Sequence, residues 1–196
     1  MRLRELSAGE LSDIYNNYMV KDFPADELKP LERILYTMKT GLCSAYGIFE
    51  QNDLRGYAVF IVPEGVQYGL LDYLAVMQEY RGTGVGHAFF RLVGETLAVK
   101  YPQLLGLFIE SEDTAFAADG RERTVREKRI SFYRQNGCIV TSLGSRLFGV
   151  TYCILAYNFA GSPDRMPTLQ ELDDIYTAMF KQHHYKNNVR LWQYED

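Results

Sequence analysis

Disulfide chemistry has little to work with in this chain, whose three cysteines, Cys43, Cys138 and Cys153, are widely spaced and form no C-x-x-C pair. An odd, scattered set of this kind builds neither a disulfide framework nor a zinc site. Each thiol is flanked by apolar or small residues and reads as a buried or half-buried side chain in a reducing compartment. Of the three histidines, His183 and His184 are adjacent, so on a helix they diverge, and no metal is expected. No run approaches 18 consecutive apolar residues, and Met1-Arg2-Leu3-Arg4-Glu5 lacks the apolar core of a signal segment. The expectation is a cytoplasmic protein without a membrane partner. Basic excess is absent too: 21 Lys and Arg against 25 Asp and Glu leave a net charge of -4. That balance argues against nucleic acid as a partner and mildly favours a cationic amine as substrate. Repeats and low-complexity segments are also missing.

What is present describes an ordinary globular domain. With 47% hydrophobic and 23% charged residues over 196 positions, the chain can bury a substantial core without cross-links. Arg2 to Leu6 alternates like a short strand, and Ser7 to Asp22 carries Leu11, Ile14, Tyr15, Tyr18 and Met19 at helical spacing. A second helical stretch begins at Pro24 and stops at Gly41. Cys43 to Glu50 and Gly56 to Val62 read as two strands joined by the polar connection Gln51 to Arg55. Pro63-Glu64-Gly65 turns the chain into a third strand-like run, Tyr68 to Val76. A helix follows from His87 to Lys100, with Phe89, Phe90, Val93 and Leu97 on one face. Leu104 to Ile109 is a continuous apolar run, as in a buried strand. Residues 110–128 are polar, a loop giving way to a helix that stops at Asn136-Gly137. Ile139 to Thr141 and Phe148 to Phe159 supply two more strands. In the tail, the capping box Thr168-Leu169-Gln170-Glu171 precedes an apolar stripe of Leu172, Ile175, Tyr176, Met179 and Phe180. That stripe predicts one added helix packed on its own domain, with the two histidines at its frayed end.

The most informative segment is Val76-Met77-Gln78-Glu79-Tyr80-Arg81-Gly82-Thr83-Gly84-Val85-Gly86, which joins strand to helix through three alternate glycines. Glycine permits backbone conformations closed to other residues and a close approach of N–H groups to a ligand. A helix N-terminus adds unpaired N–H groups and the positive end of its dipole, and Arg81 adds a guanidinium. Such a turn suits a phosphate or pyrophosphate. Two common nucleotide loops fail on spacing: His87 stands where G-x-G-x-x-G needs its third glycine, and no lysine follows Gly86 as G-x-x-x-x-G-K-S/T requires.

The pattern that fits is Gln/Arg-x-x-Gly-x-Gly/Ala, met by Arg81, Gly84 and Gly86 and preceded by Val76 and Tyr80. With this loop between a strand and a helix, the chain resembles the GNAT superfamily of acyl-CoA-dependent N-acetyltransferases, over about residues 1–160. The resemblance implies an α/β fold of the GNAT type, a central mixed, mostly antiparallel sheet flanked by helices, here with an added C-terminal helix in residues 161–196. It implies acetyl-CoA as co-substrate, its pyrophosphate held by the loop Arg81, Gly82, Thr83, Gly84, Val85, Gly86 and His87. The main chain of Leu74, Ala75 and Val76 would bind the acetyl and pantetheine carbonyls.

Acetyl transfer to an amine needs a base, a carbonyl anchor and an acid, because at pH 7 a lysine-like amine of pKa near 10.4 is almost wholly protonated. The segment Arg129 to Gly137 resembles the family helix whose tyrosine, four residues before a glycine, protonates the leaving thiolate, which points to Tyr133. Glu110, where the buried strand Leu104 to Ile109 emerges, is the candidate base, with Asp72 and Glu112 as alternatives. Preorganised N–H donors stabilise the oxyanion. The chain departs from the family pattern at Arg126 and Arg129, which replace an Asn and an Ala and offer their charges to a coenzyme phosphate or the substrate. The segment Ser111 to Val125 has no place in the pattern. The expected reaction is acetylation of a small-molecule or peptide primary amine by direct attack in a ternary complex, with the acceptor around Asp22-Phe23-Pro24 and the final strands. The competing readings are a non-catalytic acyl-CoA sensor module and a transferase for a longer acyl group. A homodimer through the final strands and tail is compatible with either.

Overall fold

The computed structural model describes every residue except 26, 162, 163, 195 and 196. Strand β1 (Arg2–Glu5) leads to α1 (Ala8–Ile14), a π-helical turn (Tyr15–Met19), α2 (Val20–Asp22) and α3 (Leu31–Lys39). Then come β2 (Cys43–Glu50), β3 (Asp53–Ile61), β4 (Tyr68–Val76), α4 (Val85–Lys100), β5 (Gly106–Glu112) and α5 (Gly120–Gln135). The chain ends with β6 (Ile139–Leu147), β7 (Val150–Asn158), α6 (Leu169–Met179), α7 (Gln182–Asn188) and β8 (Val189–Gln193). The strand order is β1-β2-β3-β4-β5-β7-β6-β8, and β1 with β2, β2 with β3, β5 with β7, and β6 with both β7 and β8 pair antiparallel. The expected mixed α/β fold with a mostly antiparallel sheet is the one observed.

Two compact units divide the chain: Met1–Glu64 with Leu71–Val93, and Gly65–Leu70 with Gly94–Asp196. In the first, Ser7 caps α1 by accepting from the Glu10 N–H while the Glu10 carboxylate accepts from the Ser7 N–H, a complete capping box. Helical spacing then buries Leu11, Ile14 and Met19, and Ile34 of α3 joins the same core beside Ile48, Tyr57 and Phe60 of β2 and β3. Each such aliphatic side chain contributes roughly 1.5–3 kcal/mol of burial. The helix expected from Pro24 begins only at Leu31. The connection between β2 and β3 shrinks to Gln51-Asn52, with Gln51 at φ 55°, because the polar residues after it still pair as strand.

In the second unit, β5 and β7 supply Leu107, Phe108, Ile154 and Leu155, and α6 buries Leu172, Ile175 and Tyr176. The β6–β7 hairpin turns at Phe148-Gly149, both at positive φ (48° and 97°), the two-residue geometry that matches strand twist. The tail expected as one helix at 161–196 includes 162, 163, 195 and 196, which lie outside the described residues. Its described part forms two helices and a strand: His183 and His184 sit in α7, and β8 pairs with β6 from Leu143↔Gln193 to Leu147↔Val189. Residues 110–128, read as a loop giving way to a helix, do lead into α5 at Gly120, but they first complete β5 and make a 3-10 turn at Thr114–Phe116.

Candidate functional site

In the first unit the glycine turn runs from β4 into α4. Gly82 and Gly84 adopt φ of 77° and 87°, and a Cβ on either would meet open space, so the glycines serve backbone conformation rather than close packing. Gly86 belongs to the first helical turn instead. The Ala88 N–H donates to the Gly84 carbonyl (3.2 Å), making Gly84 the first acceptor of α4 and leaving the preceding amides of the turn without an intrahelical partner. Val85 and Gly86 therefore present main-chain N–H groups where the helix dipole favours an anion.

Arg81 is committed elsewhere than the sequence suggested. Its Nε donates to the Val76 carbonyl (2.9 Å), and its Nη2 pairs with Asp22 Oδ1 (2.7 Å). Asp22 Oδ2 accepts from the Tyr57 hydroxyl (2.7 Å), and burial first, then this bond, drives the phenol pKa well up. The guanidinium thus straps the turn to the end of β4 and to α2. Thr83 closes the turn by donating its hydroxyl to the Tyr80 carbonyl (2.7 Å). Along β4, the Met77 N–H donates to the Arg55 carbonyl (2.9 Å), which orients odd-numbered amides toward β3. Ala75 follows that orientation, whereas Leu74 and Val76 direct their N–H groups to the other edge. Asp72, an alternative base, is occupied by Lys29 Nζ at 2.5 Å, and Lys29 is further tied through its N–H to the Tyr73 hydroxyl (2.9 Å).

The second unit holds the other candidates. Glu110 and Glu112 lie two apart on β5 and so share one face. Glu110 Oε1 accepts from the hydroxyl of Tyr176 on α6. Glu112 is clamped: Oε1 by Arg126 Nη2 (2.9 Å) and Oε2 by Arg129 Nη1 (2.8 Å). Arg126 also donates to the Asp113 carbonyl (2.5 Å) and to Glu122 (2.7 Å) and is itself only 7% exposed. The two arginines read as charges for a phosphate or substrate are therefore spent on Glu112.

Tyr133 is buried on the face of α5 that also carries Arg126, one heptad earlier. The helix ends in a Schellman motif, with the Cys138 N–H bonded to the Tyr133 carbonyl (3.0 Å), the Gly137 N–H to the Arg134 carbonyl (3.1 Å) and Gly137 at φ 83°. This fixes the backbone of Tyr133. Burial pushes its phenol pKa up, with Arg129 opposing, so the hydroxyl keeps its proton throughout the physiological range. Burial also raises Cys138 to about 12 and Cys153 to about 11, leaving neither as a thiolate nucleophile. Among the described residues no cluster of His, Cys, Asp and Glu is placed to hold a metal, and no helix is long and apolar enough to cross a membrane.

The fold is that of the GNAT acetyltransferases. A protein from Bacteroides thetaiotaomicron assigned to that family superposes with a TM-score of 0.60 at 16% identity, covering 84% of this chain and 90% of its own. A spermidine N-acetyltransferase chimera from Vibrio cholerae and hSSAT gives 0.59 at 14% identity, over 84% of this chain and 100% of its own. An aminoglycoside 6'-N-acetyltransferase complexed with coenzyme A gives 0.58 at 16% identity, over 86% and 100%. By sequence, no family profile and no curated protein matches the chain.

Proposed function

We propose that the protein is a cytoplasmic acyltransferase that moves an acetyl group from acetyl-CoA to a primary amine by direct attack in a ternary complex. The observation that carries this reading is the turn at Gly82 and Gly84, whose positive φ values open a strand end onto the first turn of α4 in a fold shared with acetyltransferases. A neighbour of this fold complexed with coenzyme A supports the same ligand here. The amides of Gly82 to His87 would hold the pyrophosphate, with Arg81 holding the turn in shape through Val76 and Asp22. Leu74 and Val76 would offer N–H groups to the acetyl and pantetheine carbonyls, Ala75 spacing them.

The amine attacks the thioester carbonyl, a C–N bond forms and the C–S bond breaks. Glu110 takes one ammonium proton before attack, Tyr133 gives its proton to the departing thiolate, and the second amine proton, released as the amide forms, restores the Tyr133 phenol. The high thiol pKa values of Cys138 and Cys153 favour direct transfer over an acyl-cysteine. Neighbours named for spermidine and an aminoglycoside make a cationic small-molecule amine the favoured acceptor class. Residues 161–196 are read as an extension of the domain at 1–160.

Calorimetric titration with acetyl-CoA tests the coenzyme assignment on the parent, Gly84→Ala and Gly84→Glu. Both variants bear the strain of a side chain at φ 87°, but only glutamate adds bulk and negative charge beside the pyrophosphate. Micromolar binding is expected for the parent, weakened binding for alanine and none for glutamate. A folded parent that does not bind would overturn the reading. With coenzyme bound, Tyr133→Phe is expected to lower kcat about 10²–10⁴-fold at unchanged coenzyme affinity; unchanged turnover would remove Tyr133 as the acid.

A further inference from the structure

Helix α6 brings a side chain to the candidate base. Tyr176 is fully buried, and so is Ser145 of β6, 3.3 Å from its hydroxyl. A phenol has one proton, and here it is donated to Glu110 Oε1, so the Ser145 hydroxyl is left to donate to the phenol oxygen. Phenylalanine would fill the same core position without a polar atom to satisfy, so the hydroxyl is placed for the carboxylate. The helix itself is rigidly seated. Thr168 and Glu171 form its capping box, Glu171 pairs with Arg165 at 2.7 Å, and Leu172 and Ile175 are fully buried.

We propose that Tyr176 is a positioning residue for the base, holding the Glu110 carboxylate ionised and oriented to accept the substrate proton. This rests on the reading of Glu110 as base and makes α6 part of the catalytic apparatus. A hydrogen bond donated to a carboxylate favours its charged form. Burial, then Glu110 itself, drives the Tyr176 pKa far above that of a free phenol, so the two groups do not exchange roles. Among the described residues, Glu112 of β5, paired with Arg126 and Arg129 of α5, shares this face, as does Tyr152 of β7, which lies opposite Glu112 in register. Tyr176 is thus a buried donor held against Glu110.

Carboxyl-carbon NMR of protein labelled at glutamate Cδ reads this directly and needs no acceptor. The Glu110 resonance is identified by its loss in Glu110→Gln and titrated in the parent and in Tyr176→Phe. Loss of one hydrogen bond to a charged group is expected to raise the Glu110 pKa by about one to two pH units. An unmoved titration in folded Tyr176→Phe overturns the inference. If that variant does not fold, Ser145→Ala, which removes only the outer bond, is expected to move Glu110 in the same direction by a smaller amount, and no movement is again a refutation. Acetyl transfer to spermidine, used as a probe amine, separates the two levels. If Glu110→Gln retains full turnover while the titration still shifts, the base assignment has failed and the positioning role with it. If Glu110→Gln abolishes the acid limb of the kcat/KM profile and Tyr176→Phe leaves that limb in place, the base stands and the positioning role falls.

Discussion

Two ionic arrangements of similar length in the structure differ in consequence because of their exposure. Arg126 is buried, gives hydrogen bonds to the Asp113 carbonyl, Glu122 and Glu112, and still leaves its Nε without a partner among the described residues. Its truncation would strand the half-buried Glu112 and a backbone carbonyl. Arg126→Met is expected to lower stability by about 3–5 kcal/mol in urea titration, whereas Arg129→Met, at a side chain 39% exposed, should cost about 1 kcal/mol or less. Equal losses would show that the clamp is not centred on Arg126. At the surface, Arg4 first, then the Ser7 backbone and hydroxyl, hold Glu10 at about 2 against an ordinary 4.5. A depressed carboxyl pKa means the unfolded chain takes up the proton first, so its contribution is complete above about pH 4.5 and drains as pH falls toward 2. Both partners are 39% exposed, so screening leaves only about 1 kcal/mol or less. Stability of Glu10→Gln is therefore expected to converge on that of the parent between pH 4.5 and 2.

Elements were legible where one local signal decided them. β4 shows from end to end as an apolar run ended by the glycine turn, and Ser7 and Thr168 announce their helices through capping boxes. The start of α5 carries a comparable signal, Asp119 accepting from the Glu122 N–H (2.8 Å) and Glu122 from the Ala118 N–H (2.5 Å), but it is hidden among charges of both signs. β8 has only five residues and is defined by its partner β6, an association no periodicity within it encodes. The same holds for the candidate site. The glycine turn is local and readable, whereas Arg126 with Glu112 and Tyr176 with Glu110 join residues 14 and 66 positions apart. The β6–β8 pairing offers its own test. A Cβ on Gly144 would fall 2.4 Å from the indole of Trp192, the one tryptophan in the chain. Gly144→Ala must displace that ring, at about 1–3 kcal/mol, and is expected to shift tryptophan emission toward the solvent-exposed wavelength; an unchanged spectrum would place Trp192 elsewhere.

For the molecule as a whole, coenzyme binding converts into thermal stability. A ligand that binds only the folded chain, present at 100 times its Kd, stabilises by about 2.7 kcal/mol. For a chain of this length each kcal/mol is worth about 2–4 °C, so saturating acetyl-CoA is expected to raise the Tm by about 5–11 °C. Gly84→Glu should remove the shift, and Tyr133→Phe and Tyr176→Phe should retain it, since both are assigned to proton transfer and not to the pyrophosphate seat. A Tyr133→Phe protein that lost the shift would move that residue from chemistry to coenzyme binding, while a parent that showed none at millimolar acetyl-CoA would leave the glycine turn to another anion.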